Sequence, residues 1–330
     1  MNIAFLCGNA NPGYHWDDTS YDKGIGGAEG GLIHLTRLLA ERGHQVSVYN
    51  FCEKPAEYHG VMWKPWGMVE THYEGEWDVV VSWRQVFLLK GIKAKQRWLW
   101  THDIPVGVHF PATKEEWSYF DKVACLDETH KEMYAKKGIP REQIWNGGYA
   151  IPMERFDQQV ERIPGRVMAH FHPWRGLDWL YENWPKIKAR VPHATLASFW
   201  WQDEMFLKAN EELGILPMRH LTPYEVATET LRSEVFAYPA TGTETFSQCC
   251  VEAQAGGAIP VIVPVGALNE TVKFGVKCTH ANFIDNLVMI LRDQKVQEQI
   301  RGPMMKDTRE RFSWARVADK WDEELKRSTR

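Results

Sequence analysis

Short apolar runs alternate with amphipathic segments along this 330-residue chain. Residues 2–7 (NIAFLC) and 78–82 (DVVVS) are two such runs, and polar or glycine-rich segments bound them. Runs of this kind are typical of strands buried on both faces of a parallel sheet. Leucines at helical spacing within 32–39 predict an amphipathic helix after the first strand. The alternation of strands with helices predicts an α/β fold. Further strands are predicted at 45–49, 97–101, 122–126, 166–171 and 260–263, and helices at 128–137 and 312–325.

The segment 236–264 has the most informative pattern. It predicts a strand that ends at Tyr238, a loop that holds Glu244, and a helix that carries Glu252. The helix is expected to begin within 245–247 and to end at a pair of glycines, a common C-terminal signal. In a doubly wound sheet, ligands bind at the carboxyl ends of the strands, where the first N–H groups of a helix can bind phosphate. One site can therefore offer two carboxylates to hydroxyl groups and several amides to a diphosphate.

The order of elements around these glutamates resembles the E-x7-E block of the family 4 retaining glycosyltransferases. It consists of a strand, T-G-T-E-T-F, a helix, A-G-G and a buried strand. The fold of that family is called GT-B, so the resemblance implies an α/β fold with two doubly wound Rossmann-like domains facing a cleft. It also implies hexosyl transfer from a nucleoside diphosphate sugar to an acceptor hydroxyl, with retention of the anomeric configuration. Apart from this co-substrate, neither a cofactor nor a metal is expected.

The passage G-I-P-R-E-Q-I-W-N-G-G-Y-A-I-P-M-E-R-F resembles the exit of that family from its first domain. The resemblance covers nearly the whole chain, thinly in the first domain and densely from Arg166 on. It divides the chain into an acceptor-side domain at 1–150, a linker at 151–164, a nucleotide-sugar-binding domain at 165–311, and a helix at 312–330 that crosses back to the first domain.

In the second domain, the resemblance assigns Glu244 to the hydroxyls of the transferred sugar and Glu252 to the ribose. Arg175 would hold the diphosphate, because a guanidinium can bind phosphate oxygens in a bidentate manner; a solvated arginine at a helix start is the alternative. The family has a further arginine where this chain has His170. The site therefore has one cation fewer, or His170 or His172 substitutes in part. The other donor-binding positions expected here are Thr243, Thr245, Phe246 and Ser247, with 219–221 near the nucleobase.

Glycines cluster before the first predicted helix, in the run G-I-G-G-A-E-G-G. A dinucleotide-binding turn does not fit, because Glu29 stands where the third glycine belongs and the preceding loop is too long. Gly26, Gly27 and Glu29 instead resemble the family's G-G-x-E motif. That motif implies close approach of the backbone to the donor phosphates, with Glu29 on the acceptor side. A flexible hinge is the alternative.

His102 follows the strand predicted at 97–101, and Asp103 comes next. A side chain at the carboxyl end of a parallel strand faces the ligand crevice. The resemblance implies that His102 lies against the donor sugar and acts in catalysis with Arg175 and Glu244; a histidine that caps its own strand is the alternative. Asp103 is expected on the acceptor side, or as a residue that orients His102.

Composition restricts the partners. The formal net charge of −4 argues against a dedicated nucleic-acid-binding protein. Six scattered cysteines without C-x-x-C spacing are expected to be reduced core thiols of an intracellular protein. The chain enters a strand at once, and no apolar run approaches the ~20 residues that span a bilayer. A cytoplasmic protein with no transmembrane segment is therefore expected.

Two other functions remain open. The enzyme could glycosylate a nucleic-acid base instead of a glycan or small molecule, in which case salt-sensitive DNA binding would be seen. Alternatively, the chain could bind a sugar nucleotide without catalysis, an alternative that the replacement of an arginine by His170 leaves open. Consumption of the donor in a coupled assay would distinguish the last alternative from both enzymes.

Overall fold

The structure is a computed structural model that describes residues 1–8, 14–66, 76–107, 110–111, 113–199, 211–218 and 221–330. Two compact units divide the chain. The first comprises Met1–Ala150 with Trp314–Arg330, and the second comprises Ile151–Ser313. The segment 151–164 belongs to the second unit, as do the first two residues of the predicted closing segment.

The described part of the first unit contains an eight-stranded sheet in the order β3-β4-β2-β1-β5-β6-β7-β8. All neighbouring strands are parallel except β3, which pairs antiparallel with β4. In the centre, Ile3 lies opposite Val46 on one side and Val79 on the other, and all three are buried. The strands are β1 (Asn2–Leu6), β2 (Gln45–Asn50), β3 (Ala56–Tyr58), β4 (Val61–Pro65), β5 (Trp77–Trp83), β6 (Ala94–Trp100), β7 (Lys122–Cys125) and β8 (Ile144–Asn146).

The strand β4 lies within 58–77, a region for which the sequence pattern predicts no strand. Trp63 points into the core and is fully buried, while the neighbouring Met62 and Lys64 are only partly buried. This alternation of buried and part-exposed positions is that of a strand. It is hidden in the sequence because the run is short and flanked by other aromatic residues. Tyr73, in the same region, lies outside the described residues.

Three α-helices are described before the second unit begins: α1 (Gly27–Glu41), α2 (Lys114–Trp117) and α3 (Glu128–Ala135). Leu32, Leu35 and Leu39 form the buried stripe of α1, as the leucine spacing predicts. The side chain of Asp127 accepts a hydrogen bond from the backbone N–H of His130, which caps the start of α3.

The second unit contains a described six-stranded parallel sheet in the order β11-β10-β9-β12-β13-β14. Its chain order reverses between β9 and β12, so the ligand crevice of a doubly wound sheet is expected at the carboxyl ends of these two strands. The elements are β9 (Arg166–Ala169), α4 (Leu177–Arg190), β10 (Thr195–Ser198), β11 (Ile215–Pro217), α5 (Pro223–Arg232), β12 (Val235–Tyr238), α6 (Gln248–Ala255), β13 (Ile259–Ile262), α7 (Leu268–Thr271), β14 (Val276–Lys277), α8 (Phe283–Arg292) and α9 (Gln294–Arg311).

The last helix, α10 (Trp314–Ser328), packs on the first unit. Trp321 is fully buried among Trp98, Trp100 and Trp145, with ring centroids 5.6, 5.2 and 5.3 Å away. Arg42 also pairs with Asp319 of the helix at 2.5 Å. Trp321 is therefore a packing residue. No helix among the described residues combines the length and hydrophobicity that crossing a membrane requires.

Candidate functional site

Glu244 is the buried centre of a side-chain cluster in the loop between β12 and α6, and it is only 4% exposed. Tyr238, the last residue of β12, donates a hydrogen bond from its phenol to Oε1 of Glu244. Nη1 of Arg175 donates to the same oxygen at 2.5 Å. Among the described residues, no side chain or backbone group donates to Oε2 of Glu244. The carboxylate thus has one occupied oxygen and one that can accept a hydrogen bond from a ligand.

The backbone of Glu244 is fixed by the segment before α7. The N–H of Ala267 donates to the carbonyl of Glu244 at 2.9 Å. Gly266, with φ +54°, lies so close that a Cβ there would be 2.3 Å from the same carbonyl oxygen. Only glycine combines this left-handed backbone with such an approach. Both the backbone and the side chain of Glu244 are therefore held in place.

Arg175 reaches Glu244 from a 3₁₀ turn, Pro173–Arg175, that follows β9. The carbonyl of Arg175 accepts a hydrogen bond from the N–H of Thr241 at 3.2 Å, which joins this turn to the loop after β12. Burial lowers the pKa of Arg175, but the Glu244 carboxylate and the Tyr238 phenol outweigh it, so the pKa is raised. With 35% of its side chain exposed, Arg175 stays charged and partly open to a ligand.

Glu252 lies in the second turn of α6, close to the end of β9. Nε2 of Gln248 donates to Oε1 of Glu252 at 2.8 Å, and Nδ1 of His170 is 3.8 Å from Oε2. Burial lowers the pKa of His170, and the Glu252 carboxylate only partly opposes this. His170 is therefore neutral at pH 7 and does not replace the full charge of an arginine. It does, however, place a ring nitrogen beside Glu252.

The helix α6 begins at Gln248, later than the predicted 245–247, because Ser247 has a left-handed backbone with φ +67° and ψ +72°. Phe246 is buried, its ring packs edge-on against Phe312 at 5.5 Å, and its carbonyl accepts a hydrogen bond from Oγ1 of Thr271 at 2.7 Å. The side chain of Phe246 is thus part of the core. Thr243 is exposed and Thr245 is half-buried. Of the positions predicted near the nucleobase, 219 and 220 lie outside the described residues.

In the first unit, Gly26 is the residue before α1 and Gly27 is its first residue. Glu29, in the first turn, is buried, and its carboxylate accepts a hydrogen bond from its own N–H. Burial raises the pKa of Glu29, while that hydrogen bond and the nearby Arg84 lower it in part. The side chain of Glu29 folds back over the start of the helix, since a Cβ on Gly26 would lie 2.2 Å from Oε2 of Glu29.

His102 lies just after β6, as the sequence predicts, in an aromatic environment. Its ring centroid is 4.7 Å from that of Trp100, 5.8 Å from Trp83 and 5.6 Å from Tyr149. Burial lowers the pKa of His102 to about 3, helped by the positive charge of Arg84. His102 is consequently a neutral imidazole at physiological pH.

Asp103 forms a bidentate ion pair with Arg84, with both N–O distances at 2.7 Å. Its carbonyl accepts hydrogen bonds from Nε2 of His130 at 2.9 Å and from the phenol of Tyr134 at 3.3 Å. These contacts fix the backbone next to His102. Arg84 is an unexpected neighbour of these residues. Its only signal in the sequence is its place after a buried strand, beside the point where the strand order reverses.

Known structures share this arrangement of sheets and helices. Sucrose-phosphate synthase from Thermosynechococcus elongatus superposes with a TM-score of 0.76 at 13% identity, over 99% of this chain and 98% of that one. HepE from Anabaena, in complex with UDP-glucose, superposes with a TM-score of 0.72 at 16% identity, over 99% of this chain and 100% of that one. A glycosyltransferase involved in avilamycin A biosynthesis superposes with a TM-score of 0.72 at 14% identity, over 100% of this chain and 98% of that one.

The chain has the GT-B fold. The predicted α/β fold with two Rossmann-like domains is thereby confirmed. No family model and no curated protein matches the sequence. At these low identities the likeness establishes the fold alone.

The structure brings together two groups of predicted residues in the second unit. Arg175 and Glu244 form one, to which it adds Tyr238, and His170 and Glu252 form the other. The predicted positions in the first unit are Gly26, Gly27, Glu29, His102 and Asp103.

Proposed function

We propose that the chain is a retaining glycosyltransferase that moves a sugar from a nucleoside diphosphate sugar to an acceptor hydroxyl without a metal ion. The observation that carries the proposal is the buried Glu244 carboxylate, which lies beside the Arg175 guanidinium and close to the start of α6. One of its oxygens receives no hydrogen bond from the part of the chain that the structure describes. Such a site combines an acceptor for a sugar hydroxyl with positive charge for a diphosphate. The retaining mode is supported by the E-x7-E frame alone.

The reaction has a diphosphate leaving group, which needs positive charge rather than a proton. The N–H groups of Arg175 not bonded to Glu244 and the first N–H groups of α6 supply that charge. Each preorganised donor of this kind is worth on the order of 10²–10³ in rate. The Oε2 atom of Glu244 accepts a hydrogen bond from a hydroxyl of the transferred sugar. Glu252 accepts a hydrogen bond from a ribose hydroxyl. Thr243, Thr245 and the backbone of Phe246 and Ser247 complete the donor site.

The first unit contributes the acceptor side of this proposal. The family resemblance assigns the ring of His102 to the transferred sugar, and its lowered pKa makes this ring neutral at physiological pH. The same resemblance assigns Asp103 and Glu29 to the acceptor side, and the backbone of Gly26 and Gly27 to the donor phosphates. The acceptor is a hydroxyl-bearing glycan or small molecule.

UDP-glucose is the first donor to test, because the structurally similar HepE binds it. A thermal-shift screen against UDP, GDP, ADP and their sugars identifies the nucleotide, since a ligand that binds the native state raises the melting temperature. A coupled assay of nucleoside diphosphate release, with NMR of the anomeric proton of the product, then tests transfer and retention. Absence of any shift across the panel, or an inverted product, would contradict the proposal.

A binding protein without catalysis is the second candidate. The pairing of Arg175 with Glu244 and the neutral state of His170 favour it, because both reduce the net positive charge available to a leaving diphosphate. Tight binding of a nucleotide sugar with no release of nucleoside diphosphate, in the presence of a broad panel of acceptors, would select this candidate over the enzyme.

A further inference from the structure

Tyr238 ends an otherwise apolar strand, Val235–Tyr238, at the point where the strand order of the second sheet reverses. Its side chain is fully buried, and its ring stacks on that of Phe171 with centroids 4.2 Å apart and an interplanar angle of 28°. A buried phenol requires a hydrogen-bond partner. Here the partner is the carboxylate of Glu244, so the polar end of Tyr238 points at the candidate site.

We propose that Tyr238 is a positioning residue: together with Arg175 it holds Oε1 of Glu244 in place by hydrogen bonds, so that Oε2 is oriented to bind one hydroxyl of the donor sugar. This inference rests on the proposed function. Two donors on Oε1 and the fixed backbone of Glu244 prevent the carboxylate from turning. The orientation of the second oxygen is then set before the ligand arrives, which lowers the cost of binding.

The phenol is a permanent donor. Burial raises the pKa of Tyr238, and the neighbouring Cys249 and Glu244 raise it further, so the proton stays on the phenol. Because Oε2 of a carboxylate can only accept, the ligand group opposite it must be a donor such as a hydroxyl. A site built to hydrogen-bond a hydroxyl rejects analogues that lack it, since its own polar group is left unpaired. The Glu244 carboxylate, held by Tyr238 and Arg175, therefore recognises a single hydroxyl of the sugar.

The test compares Tyr238→Phe with wild type. The two ligands are UDP-glucose and free UDP if the thermal-shift screen selects a uridine nucleotide. If it selects another nucleotide, they are that nucleotide sugar and its free nucleoside diphosphate. The variant keeps the ring that stacks on Phe171 and removes only the hydrogen bond to Glu244. We expect kcat/KM for the donor to fall by about tenfold or more, while the affinity for the free diphosphate changes less than about twofold. The loss should appear mainly in kcat if the hydroxyl contact strengthens in the transition state.

Tyr181→Phe is the matched control. It removes another phenol hydrogen bond of the same unit, from Tyr181 to Oγ of Ser198 at 2.6 Å. Its donor kinetics should stay within about twofold of wild type. Unchanged donor kinetics in Tyr238→Phe, or an equal loss of affinity for donor and free diphosphate, would overturn the positioning role.

Failure of the proposed function would look different. A wild-type protein that binds the nucleotide sugar and never consumes it would refute transfer. Calorimetry with the same two ligands would still test Tyr238, because its contact discriminates the intact donor from the free diphosphate. A wild-type protein that binds no nucleotide sugar in the panel would overturn both inferences.

Discussion

Nη1 of Arg175 donates a hydrogen bond to Oε1 of Glu244 at 2.5 Å, across 69 positions of sequence. The two side chains come from the connections that follow β9 and β12, the two strands at which the sheet order reverses. The residue expected to bind the diphosphate is therefore also a partner of the residue expected to bind the sugar. In the proposed enzyme, the two halves of the donor are recognised by a single charged pair.

Arg175→Ala should lower turnover more than it weakens donor binding. Negative charge on the leaving diphosphate grows in the transition state, so the guanidinium interaction is strongest there. We expect kcat to fall by about 10² or more, with a smaller rise in KM. Steady-state kinetics over a range of donor concentrations measures both.

The control for this variant is Arg190→Ala, which removes an exposed arginine paired with Asp285 at 2.5 Å on the outside of the same unit. Its kinetics should match those of wild type, because exposed pairs contribute little. An Arg175→Ala variant with unchanged kcat and a raised KM would show that Arg175 only binds the donor.

Transfer should not depend on a divalent metal, because Arg175 and the first N–H groups of α6 supply positive charge to the diphosphate. Activity measured after dialysis against EDTA, and then in excess EDTA, should equal the activity of untreated enzyme. Complete loss of activity that manganese restores would contradict this prediction.

The free energy of unfolding should fall as the pH drops from about 6.5 towards 4. Burial lowers the pKa of His130 from 6.5 to about 4. Its Nδ1 accepts from the N–H of Leu126 while Nε2 faces the carbonyl of Asp103, an arrangement of the neutral ring. In this pH window the unfolded chain binds a proton that the folded chain does not, which costs up to about 1.4 kcal/mol per pH unit.

His130→Gln tests that origin, because glutamine can both donate and accept but does not titrate. Chemical denaturation at several pH values should give a shallower loss of stability for the variant than for wild type. The buried His102, whose pKa is lowered to about 3, should account for part of the slope that remains. Equal slopes for the two proteins would contradict the assignment to His130.

Ser247 should tolerate glycine better than valine. Its φ of +67° lies in the left-handed region, where a side chain costs about 1–2 kcal/mol and a β-branched one more. Glycine removes that strain and adds entropy to the unfolded chain, so Ser247→Gly should stay within about 1 kcal/mol of wild type. Ser247→Val should be less stable by at least about 1 kcal/mol in urea unfolding, and a valine variant as stable as the glycine variant would contradict this account.

Apolar runs and helical spacing predict most of the two sheets, because they depend on local patterns. The strand at 78–82 corresponds to β5, and the glutamates Glu244 and Glu252 fall in the predicted loop and helix. Boundaries are less accurate where the backbone is unusual. The left-handed conformation of Ser247, which delays the start of α6, has no signature in the sequence because serine rarely adopts it.

The contacts within the site could not be predicted. That Arg175 bonds directly to Glu244 depends on how two loops meet, and no periodicity encodes it. The sequence pattern predicts Tyr238 only as the end of a strand, although a tyrosine that ends an apolar strand at a switch point is a signal for a polar contact. Arg84, which pairs with Asp103, carried only a positional signal.

The most direct test of the donor site is calorimetric titration of the nucleotide sugar and of its free nucleoside diphosphate into wild type, Glu244→Gln and Glu252→Gln. A lost hydrogen bond to a charged group is worth about 1.5–3 kcal/mol, roughly tenfold or more in affinity. Glu252→Gln should weaken both ligands alike, because both contain the ribose. Glu244→Gln should weaken the intact donor without weakening the free diphosphate, because loss of the carboxylate charge leaves more of the Arg175 charge for the phosphates. Glu298→Gln, an exposed glutamate of α9, should change neither affinity. Equal weakening of the free diphosphate by the Glu244 and Glu252 variants, or no effect of either, would contradict the assignment.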